Sequence, residues 1–215
     1  MFGRAVLDTI LIIDDDQAEI NKVKSTLQNK NNYLNGVAKE FEFSSSTALD
    51  TNEVLSTIDG INPTLLMLDL IKESEGPVGQ DITKAVAGRY PGLPIILITR
   101  RGSEQFEQAI EAIRNGASQI LYKDDFDGVY ARGFVKTVCA VIDEADRNKR
   151  REILKQFLLY AAITTTTIVQ GTISFAIGNM GSGGADNPFL TVAVLTVSIV
   201  LLSVLAHVIW KKMVG

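Results

Sequence analysis

The chain is short of residues that cross-link or rigidify a fold: its 215 residues hold one cysteine (Cys139), one histidine (His207), one tryptophan (Trp210) and five prolines. A lone cysteine excludes an internal disulfide, and the lack of grouped Cys and His ligands excludes a structural zinc site. This usage predicts a cytosolic setting for the folded part. Basic charge is also scarce, with 21 Lys and Arg against 25 Asp and Glu and a net charge of -4. Gripping nucleic acid requires a basic face that neutralises phosphates, so no nucleic-acid partner is expected. The opening MFGRAVLDTI carries no apolar run of the signal-peptide kind, which predicts no cleavable leader.

Charge nearly vanishes from one stretch. Residues 157–215 contain only Asp186, Lys211 and Lys212, so almost every ionisable group falls in residues 1–156. Residues 157–177 (FLLYAAITTTTIVQGTISFAI) and 189–209 are two uncharged runs of 21 residues, parted by GNMGSGGADNP. A helix rising about 1.5 Å per residue crosses about 30 Å of hydrocarbon in roughly 20 residues, so each run is long enough to span a bilayer. The connector has the composition of a turn. Arg147, Lys149, Arg150, Arg151 and Lys155 precede the first run and Lys211 and Lys212 follow the second, which places both ends on the cytoplasmic side. The expected organisation is a folded head over 1–145, a charged helical linker over 146–156, transmembrane helices over 157–177 and 189–210 joined by an extracytoplasmic turn over 178–188, and a cytoplasmic tail over 211–215. The inner cytoplasmic membrane is the expected location, with lipid as a partner and Trp210 as an interfacial anchor. Thr164, Thr165, Thr166, Thr167, Gln170 and His207 are polar groups at membrane depth. Threonine hydroxyls can bond back to their own helix, so an anchoring hairpin is expected rather than a conducting one. The alternative, a helical hairpin buried inside a soluble protein, asks too much of so small a head.

Within the head, short apolar runs alternate with amphipathic stretches, the pattern of a parallel sheet flanked by helices. Strands are expected over 9–13, 37–43, 65–68, 95–98 and 119–122, and helices over 17–28, 47–58, 82–89, 103–115 and from about 127 onward. Pro63, Pro91, Pro94, Gly116 and Gly128 mark boundaries between them.

Ligands of an open parallel sheet bind at the carboxyl ends of its strands. Here those ends carry Asp14, Asp15 and Asp16, then Asp69, Thr99 and the pair Tyr122 and Lys123. Acids converging on one edge repel one another unless a cation sits among them, and a hard oxygen-preferring ion such as Mg²⁺ meets that need. With a hydroxyl and an ammonium at the same edge, the group suits a phosphoryl moiety. Asp69 is then the natural nucleophile for an aspartyl phosphate. Asp before an amphipathic run also serves as a helix N-cap, a role that Asp16 fits.

The pieces ILIIDDD (10–16), LLMLDL (65–70), GQD (79–81), IILIT (95–99) and NGASQILYK (115–123) resemble the receiver domain of two-component response regulators, over roughly residues 8–145. The resemblance implies a flavodoxin-like, doubly wound α/β fold with five parallel strands, here followed by the two transmembrane helices. It also implies that Asp14 and Asp15 bind Mg²⁺ with Asp69 and the Ile71 backbone carbonyl, that Asp69 accepts the phosphoryl group, and that Thr99 and Lys123 hold it. A sensor histidine kinase or phosphotransfer protein is the implied partner. The separations of 30 positions from Asp69 to Thr99 and 24 from Thr99 to Lys123 are close to the usual ones.

Several positions depart from that pattern. The 54 positions from Asp15 to Asp69 are more than usual and predict an extended loop around NKNNYLNG. IKESEGPVGQD after Asp69 is longer than the family's turn. Arg100 replaces a small residue, Asp124 a proline, and Ile120 an aromatic whose switch role would fall to Tyr122. The expected function is a membrane-anchored response regulator, modified on Asp69, that signals by protein–protein contact or oligomerisation to a downstream protein. It is not expected to be an enzyme beyond its own phosphorylation and dephosphorylation. Two alternatives stand beside this: a degenerate receiver acting as an unphosphorylated membrane scaffold, and a haloacid dehalogenase-like phosphatase using Asp14 and Asp16. The phosphatase alternative leaves Asp69 unused.

Overall fold

The computed structural model describes residues 8–29, 40–47, 50–71, 78–101, 103–126 and 130–180. The chain divides into two compact units, Met1–Asp146 and Arg147–Gly215. In the first, five strands, β1 (Asp8–Ile13), β2 (Phe41–Ser46), β3 (Leu65–Asp69), β4 (Ile95–Thr99) and β5 (Gln119–Tyr122), alternate with helices α1 (Gln17–Gln28), α2 (Thr51–Ile61), α3 (Val78–Arg89) and α4 (Ser103–Arg114). A 3₁₀ turn over Lys123–Phe126 leads toward α5, Ala131–Met180, inside which the boundary between the units falls.

All strand pairs are parallel and the sheet order is β2-β1-β3-β4-β5. β3 and β4 are buried along their whole length because helices cover both faces. Side chains on a strand alternate between faces, and the core divides accordingly. Ile10, Ile12, Met67, Ile96 and Ile98 pack with Ile20, Val23 and Leu27 of α1 and Phe134, Val135, Val138 and Ile142 of α5. Leu11, Ile13, Leu66, Leu68, Ile95 and Leu97 pack with Val54 and Ile58 of α2, Ile82 and Val86 of α3 and Ala112 of α4. Each large aliphatic side chain so buried contributes roughly 1.5–3 kcal/mol. From β1 the chain first moves outward to β2, then crosses back to β3, β4 and β5. The reversal of direction therefore lies between β1 and β3, the place where such sheets open a crevice.

Some element boundaries differ from expectation. The second strand runs over Phe41–Ser46 rather than 37–43, of which 37–39 lie outside the described residues. Its serines are extended because their backbone pairs with β1 up to the register Ile13 with Ser46, and ladder bonding outweighs their weak strand preference. α2 starts at Thr51 rather than 47 because Asp50 caps it, accepting bonds from the N–H groups of Asn52 at 2.9 Å and Glu53 at 3.1 Å. It stops at Asn62, whose φ of 51° ends the helical path, just before Pro63. α3 begins four residues earlier than expected, at Val78, taking GQD into its first turn. The extended loop expected around NKNNYLNG lies almost wholly outside the described residues.

In the second unit, Arg147 to Met180 is helical as part of α5. Gly178, Asn179 and Met180, expected in a turn, continue the helix; one glycine costs about 1 kcal/mol in a helix and no proline interrupts before Pro188. No helix among the described residues is long and apolar enough to cross a membrane. The uncharged run expected to span over 157–177 includes four consecutive threonines, Gln170 and Gly171. The Thr164 hydroxyl donates to the Tyr160 carbonyl at 2.8 Å and that of Thr167 to the Ile163 carbonyl at 2.9 Å. Ile153, Leu158, Leu159, Tyr160 and Ile163 are exposed. The expected second span, the tail and residues 181–188 of the turn lie outside the described residues, as do His207 and Trp210.

Candidate phosphoryl and metal site

Asp14 follows β1, Asp69 closes β3, Thr99 closes β4 and Lys123 follows β5, so the parallel register brings all four to one edge of the sheet. They are the buried polar exceptions at that edge: Asp14 is 2% exposed, Asp69 4%, Thr99 1% and Lys123 7%. The Lys123 ammonium donates to Asp14 Oδ2 at 2.8 Å and to Asp69 Oδ2 at 3.0 Å. Each carboxylate has a second, local partner. Asp14 Oδ1 accepts from the Asp16 N–H at 2.9 Å, and Asp69 Oδ1 from the Ile71 N–H at 3.3 Å. Asp16 itself accepts from the Ala18 N–H at 2.8 Å, capping α1.

The 3₁₀ turn that carries Lys123 is anchored from behind. The Phe126 ring is fully buried against Phe134, centroid to centroid 4.7 Å, and the Thr26 hydroxyl donates to the Phe126 carbonyl at 2.8 Å. These contacts fix the backbone from which the lysine reaches inward. On the other side, Gly79 of α3 lies so close that a Cβ there would stand 2.6 Å from the Asp69 carbonyl oxygen. The Gly79 N–H donates to the Leu70 carbonyl at 3.1 Å. The first turn of α3 therefore rests directly on the backbone that carries Asp69.

Carboxylate oxygens of Asp14, Asp15 and Asp69 lie within 4.8 Å of one another. Burial, followed by the Asp14 charge, pushes the Asp69 carboxyl up to about 6, although Lys123 pulls it down. For Lys123 burial is the largest influence and disfavours its charge, but the bonds and charges of Asp14 and Asp69 together outweigh it, so its pKa is raised. One ammonium among three acids leaves a deficit of positive charge. An all-oxygen donor set with that deficit fits a hard divalent cation, and receiver domains bind Mg²⁺ at an acidic cluster of this kind. The open pocket above the cluster is lined by Asp15, Asp16, Asp69, Ile71, Thr99, Arg100 and Lys123. Among the described residues the Thr99 hydroxyl has only a long 3.4 Å contact, to the Arg100 carbonyl, a weak hold that lets it turn toward a ligand.

No family model matches the chain. The nitrogen assimilation regulatory protein NtrX of Azorhizobium caulinodans is 25% identical over 113 residues, 53% of this chain and 22% of that protein. A CheY-like response regulator receiver domain protein from Methanospirillum hungatei has a TM-score of 0.50 at 23% identity, covering 66% of this chain and 99% of its own. NtrX from Brucella abortus has a TM-score of 0.53 at 20% identity, covering 69% of this chain and 30% of its own. The head has the receiver fold. The chain spans less than a third of the length of the NtrX proteins it matches, and about a third of it lies outside the match to the Methanospirillum chain.

Sequence reasoning missed Arg101. Its guanidinium pairs with Asp125 at 2.8 Å and lies over the rings of Tyr122 at 5.1 Å and Tyr130 at 5.9 Å. The signal was available in the sheet register: β4 and β5 pair Thr99 with Tyr122, so residues just beyond each must meet. Tyr122, the one residue named as a substitute for the aromatic missing at Ile120, lies under the Arg101 guanidinium.

Proposed function

We propose that the receiver-fold head is a response-regulator domain phosphorylated on Asp69 in a Mg²⁺-dependent reaction, with a histidine kinase or phosphotransfer protein as donor. The observation that carries this reading is the Lys123 ammonium bonded to both Asp14 and Asp69 beside Asp15. Asp14, Asp15 and Asp69, with the Ile71 carbonyl, would hold Mg²⁺, which when bound offsets the repulsion between carboxylate and phosphoryl oxygens. The Asp69 carboxylate attacks phosphorus as the bond from phosphorus to the donor breaks and the donor leaves with that electron pair, while Lys123 pairs with a phosphoryl oxygen and Thr99 turns its hydroxyl to another. The chemistry is confined to phosphorylation and dephosphorylation of its own aspartate. The phosphatase alternative is weaker because Asp16, its required proton donor, caps α1.

The output in this reading is a change in protein–protein contact or self-association, made at the inner face of the cytoplasmic membrane. The tail supports the membrane element through the clustered basic residues 147–155, the exposed apolar side chains from Ile153 to Ile163, and threonine hydroxyls already satisfied within their helix. Flotation of the full-length chain with vesicles containing anionic lipid tests it; a chain left at the bottom of the gradient at low salt would refute the tether.

The phosphorylation test uses the full-length chain, Mg²⁺ and acetyl phosphate, with peptide mass spectrometry. One phosphoryl group on the peptide containing Asp69 is expected, lost in Asp69→Asn and with a chelator present. Label on Asp14, or none on the wild type, would overturn the reading.

A further inference from the structure

The site falls into two halves by strand. The carboxylates of Asp14, Asp15 and Asp69 come from the ends of β1 and β3, whereas the Thr99 hydroxyl and the Lys123 ammonium come from the ends of β4 and β5. The β4 and β5 pairing reaches Thr99 opposite Tyr122, so the backbone ladder stops where the second half begins. Beyond that point Arg101 carries the connection on. Its guanidinium meets the Asp125 carboxylate at 2.8 Å and lies over the rings of Tyr122 at 5.1 Å and Tyr130 at 5.9 Å. Arg101 stands just past Thr99 and Asp125 just past Lys123, so this ion pair joins the segment leaving β4 to the 3₁₀ turn leaving β5. The Arg101 side chain is 56% exposed and that of Asp125 19%. A pair so open to water adds little to the stability of the whole fold, but a planar guanidinium that both stacks and pairs fixes the spacing of the segments it joins.

We propose that Arg101 is a positioning residue, which through Asp125 and the tyrosine rings holds Thr99 and Lys123 at the separation that a phosphoryl group bridges, without touching that group. The inference rests on the reading of Asp69 as phospho-acceptor. Loss of the guanidinium loosens the half of the site that binds phosphoryl oxygens and spares the half that binds the cation. The cation half has its own ties: β1 and β3 pair from Ile10 with Leu65 to Ile13 with Leu68, and Asp14 and Asp69 accept from the N–H groups of Asp16 and Ile71. A residue that served only general folding would weaken both halves together.

The test separates the two halves by ligand. Full-length wild type, Arg101→Ala, Arg101→Lys, Asp125→Ala and the double variant are titrated by calorimetry, first with Mg²⁺ alone and then, at saturating Mg²⁺, with beryllofluoride as a phosphoryl mimic. Arg101→Ala is expected to weaken beryllofluoride binding on the order of 5-fold while the Mg²⁺ dissociation constant rises by no more than about 2-fold. Arg101→Lys, which keeps the charge, recovers part of the loss. Asp125→Ala weakens beryllofluoride binding in wild type but adds little on top of Arg101→Ala, because the two side chains act as one unit. Undiminished beryllofluoride binding in Arg101→Ala would overturn the inference, as would an equal weakening of both ligands, the mark of a merely structural residue. Wild type that takes up no beryllofluoride at saturating Mg²⁺ sinks the reading of Asp69 together with this inference, whereas wild-type binding matched by Arg101→Ala sinks the Arg101 inference alone.

Discussion

Asp69 is where opposing effects meet: burial and the neighbouring Asp14 favour its protonated form, Lys123 its charged form, and the balance lifts it from 3.8 to about 6. An acid whose pKa is higher in the folded than in the unfolded chain binds its proton more tightly when folded. Folding is then favoured at low pH, and the stability due to this group falls as the pH rises from about 4 to about 6. In Mg²⁺-free buffer Asp69→Asn is expected to remove that slope, so that the variant becomes the more stable protein by roughly 2–3 kcal/mol at pH 7. Urea denaturation across that pH range checks it; parallel profiles for the two proteins would contradict the balance of charges described. The members of this cluster were legible in the sequence because each stands at the end of an apolar run. Arg101 was not, since its partners Tyr122 and Asp125 become neighbours only through the β4 and β5 pairing.

Among the elements, α3 bears on the site through Gly79. A methyl group at this position would stand 2.6 Å from the Asp69 carbonyl oxygen and 2.7 Å from Leu70 Cα, so the helix or the end of β3 must shift. Gly79→Ala is expected to destabilise the chain by roughly 1–3 kcal/mol and to slow phosphorylation of Asp69. Gly88, in the same helix, has nothing within 4 Å of an added Cβ, so Gly88→Ala should be neutral or stabilising by up to about 1 kcal/mol. Denaturation midpoints of the two variants separate contact from helix propensity, and similar midpoints would show that Gly79 is not tightly packed. The same contrast explains what sequence could tell about the elements. β3 and β4 announce themselves by continuous apolar runs, and α1 was placed from Gln17 to Gln28 by its periodicity. β2 was displaced because three serines carry no apolar signal, and α2 because its start is set by the Asp50 side chain rather than by any change in hydrophobicity.

At the scale of the whole molecule, affinity for a divalent cation and stability are linked. A ligand that binds only the folded chain stabilises it by about 2.7 kcal/mol at one hundred times its dissociation constant. Thermal unfolding of the full-length chain should therefore shift upward with the logarithm of Mg²⁺ concentration, and Asp15→Asn should blunt the shift while leaving the metal-free midpoint within about 0.5 kcal/mol. A wild-type midpoint indifferent to Mg²⁺ would count against the cluster as a cation site. Lys123, bonded to Asp14 and Asp69 together, bears on how such a molecule comes into being. Its ammonium is a tethered counter-ion that arrives with the polypeptide, so a newly made head can close its acidic edge before any solute is recruited, and scarcity of magnesium would silence the molecule without costing the cell its shape.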